Sequence, residues 1–150
     1  MTGVQTCALP ILITNIGKAH LEGFGGIEGV KKAKAELFTF LKENGGKAFV
    51  NSENEILMEL SKALDCIYYG MHDKGKCKGK LVSETPFLSI EGTLNNSDGF
   101  IINSNLIGAY NFENVLAAVC VGHYFGISDD AIKSAIENYI PNNRSQVIEY

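Results

Sequence analysis

The chain has 150 residues and a formal net charge of −4, with 45% hydrophobic and 20% charged residues. That is globular composition, which excludes a disordered acidic tail or a collagen-like polymer. Thirteen basic residues against 17 acidic ones leave no excess to grip a nucleic-acid backbone, and no apolar run reaches the roughly 18 residues a membrane-spanning helix needs.

Met1–Pro10 reads MTGVQTCALP. It lacks the basic start of a signal peptide. It resembles the translation of a sequencing adapter joined to a reading frame, so 1–10 is expected to be non-native and carries no weight in the fold. The native sequence is then expected to begin near Leu12, inside a strand.

Ile11–Thr14 is a short apolar run ending in Asn15-Ile16-Gly17, which predicts a buried strand and a turn. Gly23, Gly25, Gly26 and Gly29 predict a glycine-rich loop. From Ile27 to Lys42 the period becomes helical, with Val30, Ala33, Leu37, Phe38 and Leu41 on one stripe. Asn44-Gly45-Gly46 stops that helix. Lys47–Asn51 predicts a second strand. Glu53–Lys62 predicts a short helix with Ile56, Leu57 and Leu60 inward, and Leu64–Tyr69 a third strand closed by Gly70. This alternation favours a parallel sheet with crossover helices.

After Gly70 the texture changes. His72–Lys80 is rich in lysine and glycine and predicts an exposed loop. Leu81–Ile90 and Gly99–Ile107 predict strands joined through a turn at Asn95–Gly99, an antiparallel edge on the parallel sheet. Asn111–Phe125 is apolar almost all round (Val115 to Val121), so a deeply buried helix is expected. Ser128 should cap a last helix, with Asp129 and Asp130 at its positive end. Its inward stripe would be Ile132, Ala135, Ile136 and Tyr139, and Pro141 would end it.

The four cysteines are Cys7, Cys66, Cys77 and Cys120. No two have C-x-x-C spacing, so they read as scattered free thiols of a reducing cytoplasm. There is no G-x-x-x-x-G-K-[ST] phosphate loop. Gly75–Lys80 has the wrong spacing, and the run Gly23-x-Gly25-x-x-Glu28 misses the third glycine of a dinucleotide site.

Four features suggest chemistry, each with a plainer reading beside it. His20 follows the first strand, where ligands collect in open α/β sheets. It is either a metal ligand or a loop histidine without a task. Lys34 falls within or beside the apolar stripe. It either snorkels or becomes a neutral amine able to add CO₂, turning a cation into a carboxylate suited to Mg²⁺. Asn111 and Asn114, at i and i+3, share a helix face. Their carboxamides match the N6/N7 edge of adenine, or simply cap the helix. Arg144, past the last helix, either grips a phosphate or ribose or is an ordinary surface arginine.

Taken together, the runs Thr14–Glu22 (TNIGKAHLE), Ala33–Phe38 (AKAELF), Gly108–Ala118 (GAYNFENVLAA) and Pro141–Gln146 (PNNRSQ) resemble the central domain of the Mur ligases. They do so most closely in the branch that adds D-alanyl-D-alanine to a UDP-N-acetylmuramoyl tripeptide. The resemblance implies an α/β fold: an incomplete Mur-ligase central domain over 11–140, lacking its phosphate loop, with a mainly parallel sheet, flanking helices and an antiparallel edge. Residues 141–150 would lead into a C-terminal domain.

By that resemblance the parent is a cytoplasmic, monomeric, ATP-dependent amide ligase of peptidoglycan precursor synthesis. His20 and Lys34, the latter as N-carboxylysine, would hold Mg²⁺. Asn111, Asn114 and Arg144 would hold ATP. A UDP-N-acetylmuramoyl peptide and D-alanyl-D-alanine would be the substrates, with neither nucleic acid nor membrane as partner. Tyr110 stands where the family often has histidine. Because the phosphate loop is not among these residues, the chain by itself is expected to be inactive. Two other readings stay open: another Mur-like ligase (single-amino-acid-adding or folylpolyglutamate-synthetase-like), and a non-catalytic nucleotide-binding module.

Overall fold

The computed structural model describes residues 10–14, 25–71, 75–94 and 99–141. Its elements are β1 (Ile11–Ile13), α1 (Ile27–Glu43), β2 (Lys47–Asn51), α2 (Glu55–Leu60), β3 (Asp65–Gly70), β4 (Cys77–Ser83), β5 (Ser89–Leu94), β6 (Phe100–Asn103), α3 (Asn111–Tyr124) and α4 (Asp129–Glu137). Hydrogen bonding orders the strands β1-β2-β3-β4-β5-β6. The chain divides into two compact units, Met1–Tyr68 and Tyr69–Tyr150.

In the first unit β1 lies parallel to β2, with Ile11 opposite Ala48 and Ile13 opposite Val50. A parallel pair needs a crossover, and α1 supplies it. The helix begins after Gly25 and Gly26, both at positive φ (70° and 100°), a backbone that glycine adopts without a Cβ clash. Gly29 belongs to α1 itself, so the expected glycine loop ends at Gly26, and Gly23 lies outside the described residues. The expected stripe is real. Phe38 and Leu41 pack with Ile13, Ala48, Val50 and Leu57 into one core, and Leu37 lies against it. Asn44 ends the helix by donating its backbone N–H to Phe40 O (3.1 Å), and Gly45 turns left-handed beyond it.

The second helix is shorter than the expected 53–62. The side-chain oxygen of Asn54 accepts from Leu57 N at 3.1 Å, so α2 starts only at Glu55. Only Leu57 is fully buried; Ile56 and Leu60 are partly so.

In the second unit the end of β3 pairs parallel to β4 (Tyr69 with Cys77, Gly70 with Lys78). The strands β4, β5 and β6 then run antiparallel, which forms the expected antiparallel edge. Three expectations are corrected here. The supposed loop His72–Lys80 is strand from Cys77 onward, while 72–74 lie outside the described residues. The inward residues of β4 are Cys77 and Gly79, both buried, with Lys78 between them and Lys80 after them. A Cβ on Gly79 would lie 2.6 Å from Leu116 Cδ2, so α3 occupies the space a larger side chain would need. The strand therefore lacks the apolar alternation that marks a sheet.

The supposed single strand Leu81–Ile90 is the end of β4, a turn and the start of β5. Pro86 interrupts it, since proline cannot donate to a ladder. The third correction is to Gly99–Ile107, where only Phe100–Asn103 is strand. From Ser104 the chain leaves β6 and bonds across to Leu88: Ser104 N and Oγ both donate to Leu88 O, and Leu88 N donates to Leu106 O. Of the expected Asn95–Gly99 turn, residues 95–98 lie outside the described residues.

The helix α3 covers the expected span almost to the residue. It buries Phe112, Val115, Leu116, Ala117, Val119 and Cys120. Ala118 is exposed, so the helix has an open side that apolar content alone hides. Ser128 caps α4 by accepting from Ala131 N at 3.4 Å. Of the expected α4 stripe only Ile132 is fully buried; Ile136 is half-buried. Ala135 and Tyr139 are exposed, and Tyr139 lies beyond Glu137, where α4 ends. Ile132 fits against Gly122, where a Cβ would lie 2.9 Å from Ile132 Cγ1.

Candidate functional site

The head of α3 is built by a tight turn. Gly108 sits at φ 89°, a conformation that favours glycine. A Cβ there would lie 2.8 Å from Tyr110 Cε1, so the Tyr110 ring folds back over the glycine. Asn111 N donates to Gly108 O (3.1 Å) and Phe112 N to Ala109 O (2.9 Å). Asn111 is buried, and its Nδ2 donates to Ile107 O at 2.9 Å. Its Oδ1 accepts from Asn114 Nδ2 at 3.3 Å. The i, i+3 pair expected from spacing is therefore in contact.

The two amides do different work. Asn111 is consumed by the turn, which its carboxamide holds closed. Asn114 is exposed, and among the described residues its carbonyl oxygen and second amide hydrogen have no other partner. One acceptor and one donor side by side, next to the exposed ring of Tyr110, can hydrogen-bond the edge of a purine and offer its face a stacking surface.

Lys34 lies mid-way along α1, in the first unit, half-buried. Burial pushes its amine below the usual lysine range, the direction that favours the neutral, nucleophilic form. His20 and Arg144 lie outside the described residues. Among the described residues, no group of three or more His, Cys, Asp or Glu side chains could hold a metal ion. The donor chemistry of Lys34 decides its fit to Mg²⁺, which takes oxygen ligands. As an ammonium it repels the ion, and as a carbamate it offers it an oxygen.

Sequence reasoning missed Glu137, whose Oε1 accepts from Asn103 N (2.9 Å) and whose backbone oxygen accepts from Asn105 Nδ2 (2.7 Å). Such a helix-to-strand tie has no local sequence signal. It also missed the meeting of Cys77 with Cys120, whose wide spacing matches no motif.

Residues 10–122 match the family described as the Mur ligase middle domain. The chain belongs to the Mur ligase family. Among relatives, the UDP-N-acetylmuramoyl-tripeptide–D-alanyl-D-alanine ligase of Escherichia coli K12 is 30% identical over 131 residues, covering 85% of this chain and 29% of that protein. The UDP-N-acetylmuramate–L-alanine ligase of Clostridium tetani is 28% identical over 137 residues, covering 89% of this chain and 30% of that protein.

This Mur ligase chain thus spans less than a third of the length of these relatives. Two solved structures share its fold. MurF from Acinetobacter baumannii has a TM-score of 0.70 at 21% identity, covering 93% of this chain and 30% of that one. The MurF ligase of Thermotoga maritima, solved in complex with ADP, has a TM-score of 0.66 at 22% identity, covering 88% of this chain and 30% of that one.

Proposed function

We propose that these residues are the nucleotide-facing part of an ATP-dependent amide ligase that adds D-alanyl-D-alanine to a UDP-N-acetylmuramoyl tripeptide in the bacterial cytoplasm. The observation that carries the nucleotide reading is the division of labour at the head of α3: a buried Asn111 that fixes the turn and an exposed Asn114 that presents both halves of its carboxamide. Family membership supports the ligase class, and the name of the E. coli relative supports the dipeptide substrate.

In this reading the terminal carboxylate of the peptide attacks the γ-phosphorus of ATP. The bond to the β,γ-bridging oxygen breaks and ADP leaves. The amine of the dipeptide then attacks the acyl phosphate carbonyl, and phosphate leaves as the amide forms and the nitrogen gives up a proton. Asn114 pairs with the adenine edge, and Asn111 keeps it in place. Arg144 pairs with phosphate or ribose. His20 and carbamylated Lys34 would hold Mg²⁺, which supplies charge neutralisation during phosphoryl transfer. The 150 residues contain no G-x-x-x-x-G-K-[ST] loop, so the chain alone is proposed to be inactive. A second reading, a Mur ligase adding a single amino acid, is favoured by the similarity to the L-alanine ligase.

The test is a chimera in which residues 11–140 replace the matching segment of the E. coli relative. The expected result is phosphate release dependent on D-alanyl-D-alanine, with none from the 150-residue chain alone. A folded chimera without that dependence contradicts the ligase reading, and turnover by the isolated chain contradicts its proposed inactivity.

A further inference from the structure

Cys77 on β4 and Cys120 on α3 meet in the core of the second unit, both buried. The Cys77 thiol donates to the Leu116 carbonyl at 3.7 Å. In an α-helix that carbonyl accepts the backbone N–H four residues on, which is that of Cys120. The Cys77 sulfur is thereby held against the helical turn that carries Cys120, where each thiol shifts the ionisation of the other. Gly79, two residues along β4, makes this possible. A Cβ there would lie 2.6 Å from Leu116 Cδ2, so only a strand without that side chain lets the helix approach so closely. Disulfides need such an approach, with Cα atoms usually about 4.4–6.8 Å apart. Neither thiol has a task in nucleotide binding or ligation.

We propose that Cys77 and Cys120 are a modification site: a dithiol that hydroperoxides oxidise to a disulfide joining β4 to α3. This inference does not rest on the ligase reading.

The two sulfurs have distinct roles. The Cys77 proton is directed at the Leu116 carbonyl. The neighbouring Cys77 thiol holds Cys120 below the usual range, Cys120 holds Cys77 above it, and the charge of Lys76 helps Cys120 ionise. The Cys120 thiolate therefore attacks the peroxide oxygen. The O–O bond breaks, and hydroxide leaves and takes up the displaced thiol proton as water. Cys120 is then a sulfenic acid. The Cys77 sulfur attacks it, the S–O bond breaks, and hydroxide departs with the Cys77 proton as a second water. Two thiols are oxidised, and one hydrogen peroxide is reduced to two waters. Burial limits the first step to small oxidants or to moments of local opening. Cys66 is an internal control. It lies in the first unit, its thiol donates to Ser61 O at 3.6 Å, and burial pushes it up.

The experiment uses the unmutated 150-residue chain. It is treated with hydrogen peroxide while folded, then unfolded in N-ethylmaleimide, digested without reduction and mapped by mass spectrometry. The expected product is a Cys77–Cys120 cross-linked peptide pair, lighter by two hydrogens and released by dithiothreitol. The oxidised chain should melt about 5 °C higher. Recovery of both cysteines as maleimide adducts, or linkage to Cys66 as frequent as linkage between the two, overturns the proposal. In Cys77→Ser, which keeps a hydroxyl donor beside Cys120 but cannot form the disulfide, the oxidation should stop at a dimedone-reactive sulfenic acid on Cys120, and a label on Cys66 alone overturns the assignment of the attacking thiol. If that variant does not fold, the cross-link map of the unmutated chain still decides whether the pair is the oxidation site.

Discussion

The side-chain amide of Asn114 donates to the side-chain oxygen of Asn111 across one turn of α3, at 3.3 Å. The pair looks symmetrical in sequence and is not so in space. Asn111 is buried and ties the helix to Ile107, whereas Asn114 is exposed.

Stability and nucleotide binding should therefore separate between the two. Asn111→Ala leaves the Ile107 carbonyl without its donor and should cost about 1–3 kcal/mol. Asn114→Ala should change stability by less than about 0.5 kcal/mol. Urea unfolding of the two variants checks this, and an equal loss in both would contradict the asymmetry.

Gly79 and Leu116 form a second coupled pair. Gly79→Ala places a methyl where Leu116 Cδ2 stands and should cost about 1–3 kcal/mol by overpacking. In a Leu116→Ala background the same change should cost little. A double-mutant cycle with a coupling near zero would show that the helix does not limit residue 79.

Lys34 makes a pH prediction with a definite sign. Burial lowers its folded pKa below the ordinary 10.5, so the unfolded chain binds the proton more tightly. The destabilisation is fully present below the folded pKa. It is lost as pH rises through the window up to 10.5. Tyr68 and Tyr69 oppose this, because burial raises their pKa and they lose stability as pH climbs. The readout is thus a difference. The stability of the parent chain minus that of Lys34→Met should rise with pH in that window, and a flat or falling difference would contradict the burial.

Glu137→Ala should loosen α4 from β6 by removing the acceptor of Asn103 N, at about 1 kcal/mol. Glu137→Gln keeps an oxygen there and should cost less. Guanidinium unfolding checks the order, and equal losses would assign the effect to charge.

Among the described residues of the first unit, the helix α1 and the strand β2 were nearly legible residue by residue. Phe38 and Leu41 repeat at helical spacing, and Asn44-Gly45 provides a stop that any reader of helix ends can see. The edge of the second unit was not. Cys77-Lys78-Gly79-Lys80 looks like a solvated loop because the helix above supplies the apolar atoms that the strand lacks. Tyr139 looked inward because its spacing from Ile132 suits a longer helix than α4 is. At the candidate site, the contact between Asn111 and Asn114 was legible from i, i+3 geometry. Which of the two stays exposed was not, because the answer lies in the Gly108–Tyr110 turn rather than in the helix period.

The most direct measurement is the binding of ADP and GDP to the 150-residue chain and to Asn114→Ala, by ligand-observed magnetic resonance. The account predicts that the chain prefers ADP, and that Asn114→Ala, still folded, loses about 5–100-fold of that preference. Equal binding of the two nucleotides by the chain, or an unchanged preference in Asn114→Ala, would contradict it.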